Sequence, residues 1–483
     1  MTPEEFRVAG HQLIDWIADY RERIPDLPVR AQITPGEVKA GLPAKPPQEA
    51  EAFSQLLADL DTLVVPGVTQ VQHPMHFGWF PSNASLASVL GDIASSGMGT
   101  LGISWESCPA LTEVEEVVCD WLRQLTGLSD IWDGTIHDTA STACVTAMML
   151  ARERASDISK NRGGLQSVQN PLVVYSTAQA HSSVAKAVQL AGFGNDNLRL
   201  VAEDPYSRAM LAPALAKAIE QDLAAGRIPA GIVCSVGTTG TTAMDPVADI
   251  AAIARQHGTW LHVDAAMAGS AMLLPEYRHL WEGVELADSL AWNPHKWMGT
   301  ILDTALFYVR DPQFLQQVMS TNPAYLRSAA DGEVVQYRDW GIPLGRRFRA
   351  LKLWFHLRLD GPEAIRQRLR RDLENAHWFA VQVAAEPGWE VLAPVPLQTI
   401  CIRHTPLDSH GEKLAGEALD QHTLAWVESI NASGEAFLTP SVLDDRWMAR
   451  VSIGVEGTTR EQVVKLWHLL QEAAARQAQS LQS

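Results

Sequence analysis

WLHVDA (260–265) and ADSLAW (287–292) decide the fold. Each is a short apolar run with no strict alternation of polar residues. Runs of that length, rich in Val, Leu and Trp, read as strands buried on both faces. PLVVYST (171–177), GIVCSV (231–236) and TALFYVR (304–310) repeat the pattern, and helical stretches such as DIAAIARQHG (249–258) lie between them. Continuous apolar strands separated by helices predict an α/β fold with a largely parallel sheet covered on both faces. Ligands of such sheets bind beyond the carboxyl ends of the strands. His181, Asp264 and Lys296 all fall at or just after those ends.

Two of these residues define a chemistry. Lys296, in AWNPHKW (291–297), can form an imine with an aldehyde. Asp264, in LHVDAA (261–266), can hold a protonated pyridine nitrogen. These are the two contacts that pyridoxal phosphate (PLP) chemistry needs most. A solvated lysine and a strand-ending aspartate are the bland alternative. Trp292, Pro294 and Trp297 beside Lys296 are poor company for a surface loop. His181, in AQAHSSV (178–184), can stack on a pyridine face and move protons, or can simply start a helix beside a Ser182 cap. DTAST (138–142) opens a helix with small and hydroxyl residues, which suits a phosphate held by Thr139, Ala140 and Ser141, or a plain cap. GTTGTT (237–242) follows a strand and brings Thr238 toward the same edge, but it is not a dinucleotide fingerprint.

Composition narrows the rest. The chain has 483 residues, 46% hydrophobic and 19% charged, enough for a large core and more than one domain. A net charge of −18 argues against nucleic acid and anionic membranes as partners. The basic run RQRLRR (366–371) reads as a solvated helix face. Five scattered cysteines without CxxC fit a reducing, cytoplasmic setting, and the acidic N-terminus shows no secretory signal. No apolar run is long enough to span a membrane. His73 and His76 lack HExxH context, so no metal is expected, and HPMHFGWF (73–80) suits an apolar wall. Residues 1–85 form an N-terminal helical segment too thin to fold alone, with Phe6, Leu13, Ile14, Ile17 and Tyr20 on one face. Residues 86–360 form the large domain, and 361–483 a small α+β domain.

HPMHFGWFPSN (73–83), GISWESCPALTEVE (102–115), DTAST, AHSSV (180–184), HVDAA (262–266), NPHKW (293–297), NPAYL (322–326) and PLGRRFRALKLW (343–354) occur in one order. Together they resemble the group II PLP-dependent amino-acid decarboxylases, particularly the aromatic-L-amino-acid enzymes, over nearly the whole chain. The resemblance implies PLP fold type I (aspartate aminotransferase-like), with a mostly parallel seven-stranded sheet. It implies Lys296 as the Schiff-base lysine, Asp264 as the pyridinium partner and His181 stacked on the ring. Ala140, Ser141 and Asn293 would hold the phosphate, Ala266 would support the ring, and Thr238 and His295 would line the site. Tyr325, on a mobile loop of roughly 322–340, would protonate the substrate Cα. Trp79, Phe80, Pro81, Ser82, Ile103 and Gly345 would line the substrate pocket. A homodimer with shared active sites is implied, with Ile103 and PLGRRF supplied by the partner chain.

In similar plant and insect proteins, Phe at the tyrosine position or Asn at the histidine position accompanies a switch to aldehyde, ammonia and peroxide. Tyr325 and His181 both stand here, so simple decarboxylation of DOPA, 5-hydroxytryptophan, tryptophan, tyrosine or phenylalanine is expected. Met267 stands where many relatives carry an aromatic, Trp79, Ser82 and Ile103 depart from the animal pattern, and Gly345 weakly favours a roomy pocket. The alternatives are an aromatic aldehyde synthase, a decarboxylase of glutamate or histidine type, and a non-catalytic PLP-binding protein.

Overall fold

A computed structural model describes residues 1–321, 330 and 332–480. Contacts divide them into two compact units: 1–81 with 377–392 and 401–483, and 82–376 with 393–400. The first unit thus joins the N-terminal helical segment to most of the C-terminal segment.

The larger unit is built on seven strands: β1 (Asp133–His137), β2 (Leu172–Ser176), β3 (Leu198–Leu200), β4 (Ile228–Ser235), β5 (Trp260–Asp264), β6 (Ser289–Trp292) and β7 (Ala305–Val309). Their order is β1-β7-β6-β5-β4-β2-β3. β7 runs antiparallel to both neighbours, and β6, β5, β4, β2 and β3 pair in parallel. The five expected strands all form. Every residue of β2, β5, β6 and β7 is buried, as a sheet covered on both faces requires. The core on one face joins Ala143, Ala147 and Leu150 of the helix Ala140–Ala155 to Val174, Val233 and Phe307.

The other unit carries an antiparallel sheet, order β10-β11-β9-β8, from β8 (Trp389–Val391), β9 (Thr399–His404), β10 (Thr439–Leu443) and β11 (Arg446–Ser452). Trp389 packs edge-on against Trp426 and Trp467, 5.6 and 5.1 Å between centroids. The helix Pro3–Arg23 opens with a capping box: Thr2 Oγ1 accepts from Glu5 N–H, and the Glu5 carboxylate accepts from Thr2 N–H. None of its residues is buried. Among the described residues no helix is long and apolar enough to cross a membrane.

Burial leaves a titration signature. His76, His137, His262, His295, His404 and His422 are pushed down to about 4 and His356 to about 3, in each case mainly by burial. The ordinary value is 6.5, so unfolding takes up protons between that value and the depressed ones. This contribution to stability is complete above 6.5 and is lost as pH falls toward 4. Asp245 and Asp372, held up to about 6 by burial, act in the opposite sense between 3.8 and 6, but are outnumbered. The thermal unfolding midpoint should therefore hold steady above about pH 7 and drop through the acid range. A midpoint that rises on acidification contradicts this balance.

Candidate active site

Lys296 lies in the connection between β6 and β7. From 289 to 300 every residue is buried except Lys296, which is half-buried. A surface lysine would not stand alone in so buried a run. Its N–H donates to the Asn293 carbonyl at 3.0 Å, and the N–H groups of Gly299 and Thr300 both donate to the Pro294 carbonyl at 3.1 Å. The Trp297 indole N–H donates to the fully buried Asp372 carboxylate at 3.0 Å. Arg368 Nη2 donates to the Trp297 and Met298 carbonyls at 2.7 and 2.6 Å.

These contacts correct the expectation of a solvated face at 366–371. Arg366 donates to the Leu273 carbonyl, Arg370 pairs with Glu276 and Arg371 with Asp372. A guanidinium can fork onto main-chain carbonyls while its stem covers apolar surface. Arg368 directly, and Arg371 through Asp372, brace the lysine turn.

Asp264 ends β5, opposite Ser235 of β4 and Ala291 of β6. It is 9% exposed, and its Oδ1 accepts from Ala266 N–H at 3.0 Å. Ala266 in turn accepts from Asn293 N–H, and Ala265 N–H donates to the Ala291 carbonyl, both at 2.9 Å. The segments following β5 and β6 are thereby sewn together. Gly237, after β4, has φ +85°, and a Cβ there would lie 2.7 Å from the Ala268 Cβ. Only glycine permits that approach. Thr238 is buried, and its hydroxyl accepts from Ala243 N–H at 3.0 Å and meets Thr241 Oγ1 at 3.2 Å. Its side chain therefore shapes its own loop.

His181 is itself the N-cap of the helix Ser182–Leu190; Ser182 is not the cap. Its Nδ1 accepts from Ser183 N–H at 3.2 Å, with Ser183 Oγ 2.8 Å away. The neutral ring then carries its proton on Nε2. His181 is solvent-exposed, yet desolvation by the surrounding protein still holds its pKa below the usual value. The Lys296 charge lowers it further, and Asp264 opposes. Lys296 and Asp264 are thus each within electrostatic reach of His181. His295 Nδ1 accepts from Thr304 N–H at 2.9 Å, which also leaves its proton on Nε2.

Ala140 and Ser141 begin the helix Ala140–Ala155, whose N-cap Thr139 makes no side-chain capping bond. The Asp138 carboxylate takes Thr139 N–H instead, at 2.7 Å. The first-turn N–H groups have no intrahelical partner and suit an anion. Asn293 is 3% exposed, and its Oδ1 has no partner among the described residues. Turned over, the same amide would present its NH2 there. An uncapped helix start, an unsatisfied buried amide, a half-buried lysine and a strand-end carboxylate fit a phosphorylated pyridine aldehyde.

The remaining expected residues divide. Ile103 and Gly345 are brought together by a two-residue bridge in which Gly102 and Arg346 exchange both main-chain hydrogen bonds, at 3.2 and 3.1 Å. Buried Arg346 anchors it, donating to Glu115 at 2.6 Å. Nothing lies within 4 Å of a Cβ placed on Gly345. Ser82 is half-buried in the same unit, whereas Trp79, Phe80 and Pro81 belong to the other unit. Tyr325, with most of the loop's first half (322–329 and 331), lies outside the described residues. Sequence reasoning missed Ser183, Thr304, Arg368 and Asp372. Only Ser183 left a local signal, as the second serine of AHSSV.

A model of the pyridoxal-dependent decarboxylase conserved domain matches residues 35–405. Phenylacetaldehyde synthase of Arabidopsis thaliana is 38% identical over 98% of this chain and 97% of its own length. Tryptophan decarboxylase 2 of Oryza sativa subsp. japonica is 38% identical over 99% and 96%. The crystal structure of Oryza sativa TDC with PLP and tryptamine superposes with a TM-score of 0.95, at 33% identity over 99% of both chains. The chain belongs to the pyridoxal-dependent decarboxylase family, among its aromatic amino-acid enzymes, and takes pyridoxal phosphate as cofactor.

Proposed function

We propose that the protein decarboxylates aromatic L-amino acids, releasing carbon dioxide and the aromatic amine. His181 carries this reading: its tautomer is set by Ser183, and it lies within electrostatic reach of both Lys296 and Asp264. Tyr325, retained in the sequence, supports it.

Pyridoxal phosphate, when bound, supplies an aldehyde that takes up the substrate amine and a ring that accepts the electrons of the breaking bond. Lys296 Nζ would be the amine that anchors this aldehyde between turnovers. Asp264 keeps the ring nitrogen protonated. The first-turn N–H groups of Ala140 and Ser141, with the Asn293 amide, hold the phosphate. Ala266 supports the ring, and Thr238 and His295 line the site. His181 would stack on the ring and could move protons there. The Tyr325 hydroxyl returns a proton to Cα. Trp79, Phe80, Pro81, Ser82, Ile103 and Gly345 form the substrate wall, whose apolar part disfavours acidic substrates.

A second reading, aromatic aldehyde synthesis, is favoured by the full-length likeness to a phenylacetaldehyde synthase. Amine, carbon dioxide and peroxide should be scored together on PLP-loaded protein with each aromatic amino acid. Glutamate and histidine serve as comparisons. Amine should equal carbon dioxide, with peroxide below about a tenth of it, since a prompt proton donor leaves little for oxygen. Peroxide and aldehyde matching carbon dioxide would give the second reading instead.

The working form is a homodimer in which Ile103 and the 343–348 segment complete the partner's site. Phe6, Leu13 and Ile14 on the first helix are exposed, as are Leu86, Leu90, Ile93 and Met98 on the helix Leu86–Met98. A second copy would cover apolar faces of this kind. Sedimentation of active protein should give twice the chain mass; full activity at the monomer mass overturns the dimer.

A further inference from the structure

Trp79 holds a backbone conformation that a bulky side chain rarely adopts. Its φ is +48°, in the left-handed region. Such outliers persist where neighbouring groups over-determine them, and they cluster at ligand sites. Here both of the residue's main-chain groups are gripped. Its N–H donates to Thr439 Oγ1 at 2.6 Å, and its carbonyl accepts from Arg450 Nη1 at 2.5 Å. Thr439 and Arg450 are direct cross-strand partners in the β10–β11 pair. One rung of that ladder therefore clamps one residue from both sides.

The surroundings support the clamp. Phe437 packs 5.0 Å from the Trp79 ring, and His76 lies 5.5 Å away on its other contact. Gly78 admits Phe437, because a Cβ there would sit 2.3 Å from that ring. The Arg450 guanidinium also lies over the Phe80 ring, 4.3 Å from its centroid. Arg450 is 2% exposed, and no carboxylate pairs with it among the described residues. Its Nε and Nη2 have no partner there either. A buried cation without a counter-charge is costly, so a merely structural brace would be better served by a neutral residue. The Trp79 indole, by contrast, remains 50% exposed. The clamp fixes the main chain and leaves the ring presented.

We propose that Thr439 and Arg450 are positioning residues that lock Trp79 in its left-handed conformation, set the Trp79–Phe80 surface offered to the substrate's aromatic ring, and so determine ring preference. The inference rests on the proposed role of Trp79 and Phe80 as substrate wall. Neither clamp residue need touch the substrate. Their effect passes through the orientation of the wall, so it falls on KM and on selectivity between ring types.

The test compares the PLP-loaded holoenzyme with Thr439→Val, Thr439→Ser and Arg450→Met, each assayed on tryptophan and tyrosine. Valine keeps the size of threonine but cannot accept the Trp79 N–H; serine can. Thr439→Val and Arg450→Met should raise KM about tenfold and shift the tryptophan-to-tyrosine ratio of kcat/KM at least about fivefold, the scale of a modest pocket change. The kcat for the better substrate should stay within about twofold, and cofactor absorbance should be unchanged. Thr439→Ser should restore the parent ratio. If Arg450→Met does not fold, the threonine pair alone decides. A parent enzyme active on aromatic amino acids whose ratio is untouched by Thr439→Val overturns the clamp and leaves the proposed function standing. A parent that turns over no aromatic amino acid overturns both.

Discussion

Lys296→Ala should lower kcat/KM by at least about 10³-fold and abolish the absorbance of lysine-held cofactor, because both the covalent anchor and a mobile amine are removed. The variant should still fold. The turn that carries Lys296 is fixed by main-chain bonds to Asn293 and Pro294, by the Trp297–Asp372 contact and by Arg368 on two carbonyls. These contacts run through the main chain and through neighbouring side chains, so the turn should keep its shape in the variant. Unfolding midpoint and absorbance together separate a chemical role from a structural one. A variant that keeps more than a tenth of parental activity would remove Lys296 from the mechanism. Lys296→Arg should fail equally: it keeps the charge, but a guanidinium is not deprotonated in proteins and cannot take up an aldehyde.

The strands that carry this chemistry were legible because they are buried on both faces. β5 and β6 read as uninterrupted apolar runs ending in Asp264 and before Lys296. β1 and β3 escaped for the opposite reason. β1 is Asp-Gly-Thr-Ile-His with an exposed first residue, and β3 is a three-residue edge strand with no buried position. Both close the sheet at its margins, where sequence pattern weakens. The basic run at 366–371 misled because its acceptors, the carbonyls of Leu273, Trp297 and Met298, are far away in sequence. A charged run declares its solubility locally and its partners only through the fold. His181 as N-cap, one residue before the expected serine, is a smaller shift of the same kind, since cap geometry depends on φ and ψ and not on composition alone. Thr439 and Arg450 lie more than 350 residues from Trp79, and no local signal could have joined them.

Asp264→Asn should reduce kcat by roughly 10²- to 10³-fold near neutral pH while leaving the fold intact, and it separates two roles that the residue fills at once. The structural role is the turn: Oδ1 accepts from Ala266 N–H at 3.0 Å. Asparagine keeps that acceptor and the side-chain shape, so the segment following β5 should stay in place. The chemical role is charge. A carboxylate within reach of a pyridine nitrogen raises that nitrogen's pKa by about 1–3 units, and each unit is tenfold in the protonated fraction. Without the charge the ring is protonated only as the solution becomes more acidic. The Asn variant should therefore recover part of its rate as pH falls from about 8 toward 6.5, whereas the parent should vary little there. The window must stay above the range in which the buried histidines begin to cost stability, below 6.5. Near-parental activity in Asp264→Asn would mean that the residue only shapes the turn. A loss with no recovery on acidification would mean that the ring nitrogen is not where its charge acts.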